Sequence, residues 1–432
     1  MKALALLALG SSTALAGGMT LPVRGVRSLE RAGALIAGAD DADALWLDPA
    51  GLARHTGDGV KSLLFDATYI YQPVDYSAAG QATVTNQQPG MAVPTIAGAI
   101  GIGDRLVIGG GIAAPTMAMH GYAADGPARR ASVGLSGTQF VIVTAGVAYA
   151  VNHELRIGAT VQDLVSSLKW SLVANACPGT MTCAADDHTF DLPMQIAQND
   201  YIAPSGSIGI QYDALPELTL GATLQAPTRI SSTGSLALTA PSSLAFANMP
   251  ITGDRVTTSF TLPPTLRAGV ELRQGLVRVE AAIDLELWSV HDEIAIVPDG
   301  VNVGTMVLQP MRVTRDFRSS IATSLGAELH LGLAQLGAGI AYETSAVPAS
   351  DVSVLTVDAN KLVLGFGGGY DGYGWQLGAA VGYVKLADVS VTDPKISELT
   401  PLHDPGGAPV YVNGGTYHSY YVLAGVRAAR TF

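Results

Sequence analysis

The sequence predicts an all-β fold: a transmembrane antiparallel β-barrel of about fourteen strands with an N-terminal plug. The first observation is a long alternation. In residues 259–296, Phe260, Leu262, Leu266, Ala268, Val270 and Leu272 share one parity. Ser259, Thr261, Thr265, Arg267, Glu271 and Arg273 take the other. After Gln274-Gly275 the pattern resumes, with Val277, Val279, Ala281, Ile283 and Leu285 against Arg278, Glu280, Asp284 and Glu286. Successive strand side chains point to opposite faces, so each run has one apolar wall and one charged wall. Strands of soluble sandwiches usually run about 5–6 residues, whereas a membrane strand needs about 9–11.

The second observation is composition. Of 432 residues, 48% are hydrophobic and 14% charged, against roughly 25% charged in soluble domains. Mean hydropathy is +0.31, yet no uninterrupted apolar run reaches the roughly 18 residues of a membrane helix. Only helices and closed barrels satisfy every backbone group in hydrocarbon, so apolar residues spread over many strands point to the barrel. The formal charge of −12 argues against nucleic acid as a partner, because phosphate binding wants a basic surface. The third observation is rhythm. Long runs from residue 60 to 432 are joined alternately by short turns, such as Asn152-His153 and Gln274-Gly275, and by long connections near 173–200 and 233–255. Short turns on one side and long loops on the other describe an outer-membrane barrel.

In chain order, Lys2, the apolar run from Ala3 to Leu9 and Ala14-Leu15-Ala16 read as a signal peptide over 1–16. Residues 17–57 do not alternate. Acidic Asp40, Asp41 and Asp43 form a turn-forming, solvated run, and Pro49 and Gly51 break any helix there. A compact non-β segment ahead of a barrel is a plug, and 58–432 form the barrel. The third strand is expected over 104–118. Cys177 and Cys183 lie close in a Gly/Pro/Asp-rich segment, and in an oxidising compartment a disulfide closing a small loop is the favoured reading. The last strand alternates to a terminal Phe432, similar to the signal by which outer-membrane barrels are recognised by their assembly machinery.

Three stretches resemble the FadL/TodX family of outer-membrane transporters. Gly33 to Gly38, followed by Asp48-Pro49-Ala50-Gly51-Leu52, is similar to the family's N-terminal hatch. Asp48 stands where the family has Asn, which removes an amide donor. Leu262-Pro263-Pro264 followed by Trp288-Ser289 is similar to a second family pattern. Asp316-Phe317-Arg318, then Gly339 to Pro348 and Asp358, is similar to a third. The resemblance implies uptake of long-chain fatty acids or other hydrophobic compounds, such as hydrocarbons, by energy-independent diffusion. Substrate would enter an extracellular groove, pass to a lumenal site beside the hatch and leave laterally through the wall. The partners it implies are hydrophobic small molecules and outer-membrane lipid, for a chain acting as a monomer without a cofactor.

Candidate substrate contacts follow from apolar residues in the long loops. Leu236, Leu238, Leu244, Phe246 and Met249 occupy one, and exposed apolar patches mark binding surfaces; the alternative is that they pack on one another. Lys169 and Trp170, at the outer end of a strand, are candidates for a carboxylate and its chain. Lumenal Arg267, Arg273 and Arg278 are expected to pair with the neighbouring carboxylates, because unpaired charge inside a barrel is expensive. An enzyme is not expected: the eight histidines are scattered singly and no nucleophile sits in an elbow context. A general porin is the main alternative, and residues 17–57 argue against it.

Overall fold

The computed structural model describes residues 25–114, 120–178, 183, 187–402 and 409–432; the signal-peptide segment 1–16 and the start of the plug lie outside them. The first barrel segments are β1 (Lys61–Tyr71), β2 (Gly90–Ile102), β3 (Leu106–Ala113), β4 (Gln139–Ala150) and β5 (Leu155–Asn175). Five wall strands then come in two pieces each. These are β6 (Asp191–Asp200) with β7 (Pro204–Leu215), β8 (Leu218–Gln225) with β9 (Thr228–Leu238), and β10 (Arg255–Leu262) with β11 (Thr265–Gln274). They continue as β12 (Val277–Glu286) with β13 (Glu293–Asp299), and β14 (Met311–Thr314) with β15 (Ser320–Leu331). The last segments are β16 (Ala334–Glu343), β17 (Lys361–Gly372), β18 (Trp375–Leu386) and β19 (Gly415–Thr431). β1 pairs with β19 from Ser62↔Thr431 to Tyr71↔Val422, which closes fourteen wall strands, all antiparallel, among the described residues.

Alternation decides what faces where. In β1, Leu63, Phe65 and Tyr69 are about half exposed on the outside while Leu64 and Asp66 are buried within. The same outward apolar band continues through Ile96, Ile208, Leu325, Phe366 and Val426. No helix among the described residues is long and apolar enough to cross a membrane; the strands supply the apolar surface.

Two expectations about strand limits are corrected. The third strand spans Leu106–Ala113 and not 104–118, with 115–119 outside the described residues. The segments 173–200 and 233–255 are only partly loop, because β6 and the end of β9 lie in them. Both pieces rise beyond the apolar band and turn Leu192, Met194, Ile196 and Leu236 inward, each at most 1% exposed. These stretches read as loop in the sequence, but their apolar residues alternate and pack.

The expectation that Phe260 and Leu266 share a face is also corrected. Phe260 is 8% exposed and points in; Leu266 is 47% exposed and points out. The parity inverts at Pro263-Pro264. It inverts again at Pro227: Thr219 and Thr223 of β8 point in, as do Ile230, Ser232 and Leu236 of β9. A third inversion precedes Pro204, between inward Ile196 and Gln198 of β6 and inward Ser207 and Gln211 of β7. Proline cannot donate to a ladder and sits at strand starts or irregularities. Register places these breaks side by side, with Gln225↔Thr265 below and Thr228↔Leu262 above. β5, the neighbour on one side, runs unbroken.

The plug is built from α1 (Val26–Glu30) and two 3₁₀ turns, Ala42–Leu45 and Pro49–His55. Asp41 and Asp48 start these turns as caps, each carboxylate accepting the N–H two residues on, and Pro49 follows in the first position, where no N–H is needed. Wall glycines make room for it: a Cβ on Gly365 would lie 1.9 Å from the Leu29 carbonyl oxygen.

Candidate functional site

Charge holds the plug in the lumen. Arg31 is fully buried and reaches three carboxylates of the wall, Glu271 at 2.9 Å, Glu280 at 3.0 Å and Glu328 at 3.1 Å. Glu280 in turn accepts the consecutive N–H groups of Ile36 (2.6 Å), Ala37 (2.9 Å) and Gly38 (2.9 Å). Successive backbone N–H groups of this kind form a nest for an anion. The acidic run at 40–43 is not solvated, contrary to the sequence reading. Asp40 meets Arg27 at 2.6 Å and Arg278 at 2.9 Å, and Asp41 and Asp43 both meet Arg427. The arginines hold the Asp40 and Asp41 carboxyls well below the usual range against the cost of burial, while burial, aided by the neighbouring Asp41 charge, pushes Asp43 up. The run looked solvated because its partners lie on strands far away in sequence.

Arg267, Arg273 and Arg278 do sit in the lumen. Arg278 joins Glu271 at 3.0 Å, and Arg273 donates to Glu271 at 2.6 Å. Arg267 is the loosest of the three, 3.6 Å from Asp284 and 3.5 Å from the Trp46 carbonyl. It borders a cavity of about 90 Å³ between plug and wall. Ile36, Trp46 and Leu47 of the plug form the cavity's inner side; Ile142, Leu164 and Leu262 form apolar parts of its wall. Trp46 is fixed by its indole N–H, which donates to Thr144 at 2.9 Å. Most of the remaining lining is polar, with Gln162, Gln225, Thr265, Arg267, Asp284 and Glu286, so the space offers apolar surface and charged groups side by side.

The extracellular candidates divide. Leu236 and Phe246 are buried in a cluster with Trp170, Leu192 and Val303, and Leu238 and Met249 pack against it. They therefore form the core of an outer cap. Leu244 is 90% exposed. Lys169 and Trp170 do not converge, since neighbours in a strand face opposite ways. Lys169 is on the outside, and Trp170 is 2% exposed with its indole N–H donating to Ser132 at 3.1 Å. The Cys177 and Cys183 sulfurs are bonded to each other at the rim of the cap. Of the hatch signature, Asp48 is fully buried, with Pro49 and Ala50 beside it in the turn. Burial raises its carboxyl well above the usual range.

Sequence reasoning missed the cavity wall. Gln162, Leu164 and Gln225 face inward but look like ordinary alternating strand residues. The signal that was available is the set of prolines inside predicted strands.

The barrel is similar to solved outer-membrane proteins. A Pseudomonas aeruginosa FadL homologue superposes with TM-score 0.78 at 15% identity, covering 96% of this chain and 99% of that one. The P. putida toluene transporter TodX gives 0.69 at 16% identity over 95% and 99%. The Ralstonia pickettii toluene transporter TbuX gives 0.64 at 17% identity over 94% and 98%. At these identities the likeness establishes the fold. No curated protein sequence matches this chain. The profile of the family described as "Outer membrane protein transport protein (OMPP1/FadL/TodX)" matches residues 7–430, nearly the whole chain, and the protein belongs to this family of outer-membrane β-barrel transporters of hydrophobic compounds.

Proposed function

We propose that this chain takes up a small hydrophobic molecule, a fatty acid or a hydrocarbon, by diffusion without energy coupling, acting as a monomer and not as an enzyme. The observation that carries the reading is the cavity bounded by Trp46, Leu47, Leu164 and Leu262 above a plug that fills the lumen. A molecule entering from the cap meets apolar surface and then a charged, buried network. The plug disfavours straight passage of water-soluble solutes, and so disfavours a general porin. Exposed Leu244 on the cap is a first contact for an apolar molecule, and Arg267, the loosest lumenal cation, would meet a carboxylate. Folding would rely on the assembly machinery that inserts outer-membrane barrels, with Phe432 as its recognition residue.

The test is uptake by proteoliposomes. Labelled long-chain fatty acid or toluene should enter severalfold faster than into empty liposomes, while small sugars should cause no swelling. Rapid sugar flux would overturn the reading in favour of a porin.

A further inference from the structure

Lys61, Arg430, Trp375 and Phe432 come together at the short-turn end of the wall, where β1 and β18 flank β19. Arg430 stands in register between Leu63 of β1 and Trp375 of β18. Its guanidinium lies 4.9 Å from the centre of the Trp375 ring and 5.5 Å from that of Phe432. The Lys61 ammonium lies 5.9 Å from the same Phe432 ring. A cation within about 6 Å of an aromatic centre is attracted by the ring's negative face. The backbone fixes that ring: Lys61 donates to the Phe432 carbonyl at 2.8 Å, and Phe432 donates back at 2.9 Å. Two positive charges are thereby held beside one ring.

Alternation turns the group towards lipid. Ser62, Arg427 and Ala429 point into the barrel and are buried, so Lys61, Ala428 and Arg430 point out. The next outward row is Phe65, Ala428 and Leu377. Phe65 and Leu377 are about half exposed, and the small Ala428 between them leaves a shallow trough leading from the cations into the apolar band. Among the described residues neither cation makes an ion pair. Asp58, close to Lys61 in sequence, instead accepts the Gly103 N–H at 3.2 Å. The cations inside the barrel are paired, as Arg156 is with Asp213 at 2.8 Å. In a chain of formal charge −12, two cations without acids on the lipid side fit an anion supplied from outside. A phosphodiester suits them, because a guanidinium fork matches two phosphate oxygens and an ammonium adds a point charge. Short turns mark the periplasmic end of such a barrel, and Trp rings sit at the headgroup level. Lys and Arg clusters at that level attract anionic lipid.

We propose that Lys61 and Arg430 hold the phosphate of an anionic phospholipid in the periplasmic leaflet, with an acyl chain in the trough over Ala428. The site lies on the outer face of the wall, apart from the cavity, and stands whatever the barrel carries. Trp375 reports on it, being 41% exposed on the lipid side, whereas Trp46, Trp170 and Trp288 are each at most 2% exposed. The test reconstitutes the protein in phosphatidylcholine vesicles containing phosphatidylglycerol or phosphatidylethanolamine brominated near the headgroup, and reads tryptophan fluorescence. Half-quenching should need severalfold less phosphatidylglycerol than phosphatidylethanolamine. Lys61→Gln and Arg430→Gln should each shrink that ratio, while Arg255→Gln, an exposed cation beyond the other end of the wall, should keep it. Equal quenching by the two lipids in native protein overturns the site. So does an equal loss in Arg255→Gln, which marks a general surface-charge effect. Loss of the preference in millimolar inorganic phosphate at constant ionic strength would assign the cations to a free anion and overturn the lipid. Should Arg430→Gln fail to assemble, Lys61→Gln decides alone, and an undiminished preference there overturns the site.

Discussion

Arg31 of the plug lies 3.0 Å from Glu280 of the wall, and neither side chain is exposed. The same guanidinium meets Glu271 and Glu328, so one plug residue bridges three wall carboxylates and shares them with Arg27, Arg273 and Arg278. Removing one partner of a buried pair leaves uncompensated charge, which typically costs about 3–5 kcal/mol. Arg31→Ala should therefore release the plug while the barrel, closed by backbone ladders, stays folded. Single-channel recording should show larger, noisier conductance with unchanged heat-modifiable migration on a gel. Wild-type conductance would show that the plug is held elsewhere.

Gly365 tests the same contact sterically. Its missing Cβ leaves room for the Leu29 carbonyl, and a side chain built there would lie 1.9 Å from that oxygen. Gly365→Val must displace backbone and not a flexible tip, with overpacking typically costing about 1–3 kcal/mol. Conductance should rise as in Arg31→Ala, and barrel assembly should be retained.

Much of this architecture is legible in the sequence, and the reason is local. Alternation in 259–296 and the long–short rhythm of connections report on neighbours one or two residues away, and they identify the barrel. The plug is legible because residues 17–57 fail to alternate. What the sequence conceals is pairing across distance. Asp41 and Arg427 meet although they are 386 residues apart, so an acidic run that is buried and neutralised reads as solvated. Parity fails at Pro227 and Pro263 because an alternating pattern carries no mark of which face it presents after a break. Leu236 and Phe246 are legible as apolar with mutual packing as one of two readings, and what selects it is partners such as Trp170 and Leu192 on strands distant in sequence.

Leu244 and Phe246 should behave oppositely. Phe246 is 4% exposed within the cap, and Phe246→Ala should cost about 3–5 kcal/mol of cap stability. Leu244 is 90% exposed, and Leu244→Ser should change stability by less than about 0.5 kcal/mol. Limited proteolysis of the cap reads the first effect. Affinity for a fluorescent fatty acid reads the second, and it should fall for Leu244→Ser with proteolysis unchanged.

Plug docking should depend on pH through Glu30. Its carboxylate accepts from Gln335 at 2.9 Å, and burial, aided by the nearby Glu328 charge, raises its carboxyl to about 7. A carboxyl raised above its unfolded value binds its proton more tightly when docked. Its stabilisation is therefore complete below the ordinary carboxylate range and is lost as pH rises through about 7. Proteolysis of the plug should speed up progressively between about pH 4.5 and 7 and level off above, and Glu30→Gln, which cannot ionise, should flatten that dependence.

Asp48 answers the loss of an amide donor at the hatch signature. It is fully buried; one carboxylate oxygen accepts the Ala50 N–H at 3.0 Å, and the other has no partner among the described residues. Burial raises its carboxyl well above the usual range, with the Thr223 hydroxyl alongside. A neutral acid presents an acceptor and a donor, as an amide does. Asp48→Asn should therefore leave plug docking within about 0.5 kcal/mol of the native protein. Asp48→Leu leaves the Ala50 N–H unsatisfied in the interior, which typically costs about 1–3 kcal/mol. Conductance separates the cases: quiet for the asparagine variant, raised for the leucine variant. A raised conductance for Asp48→Asn would show that the carboxyl is ionised and held by charge.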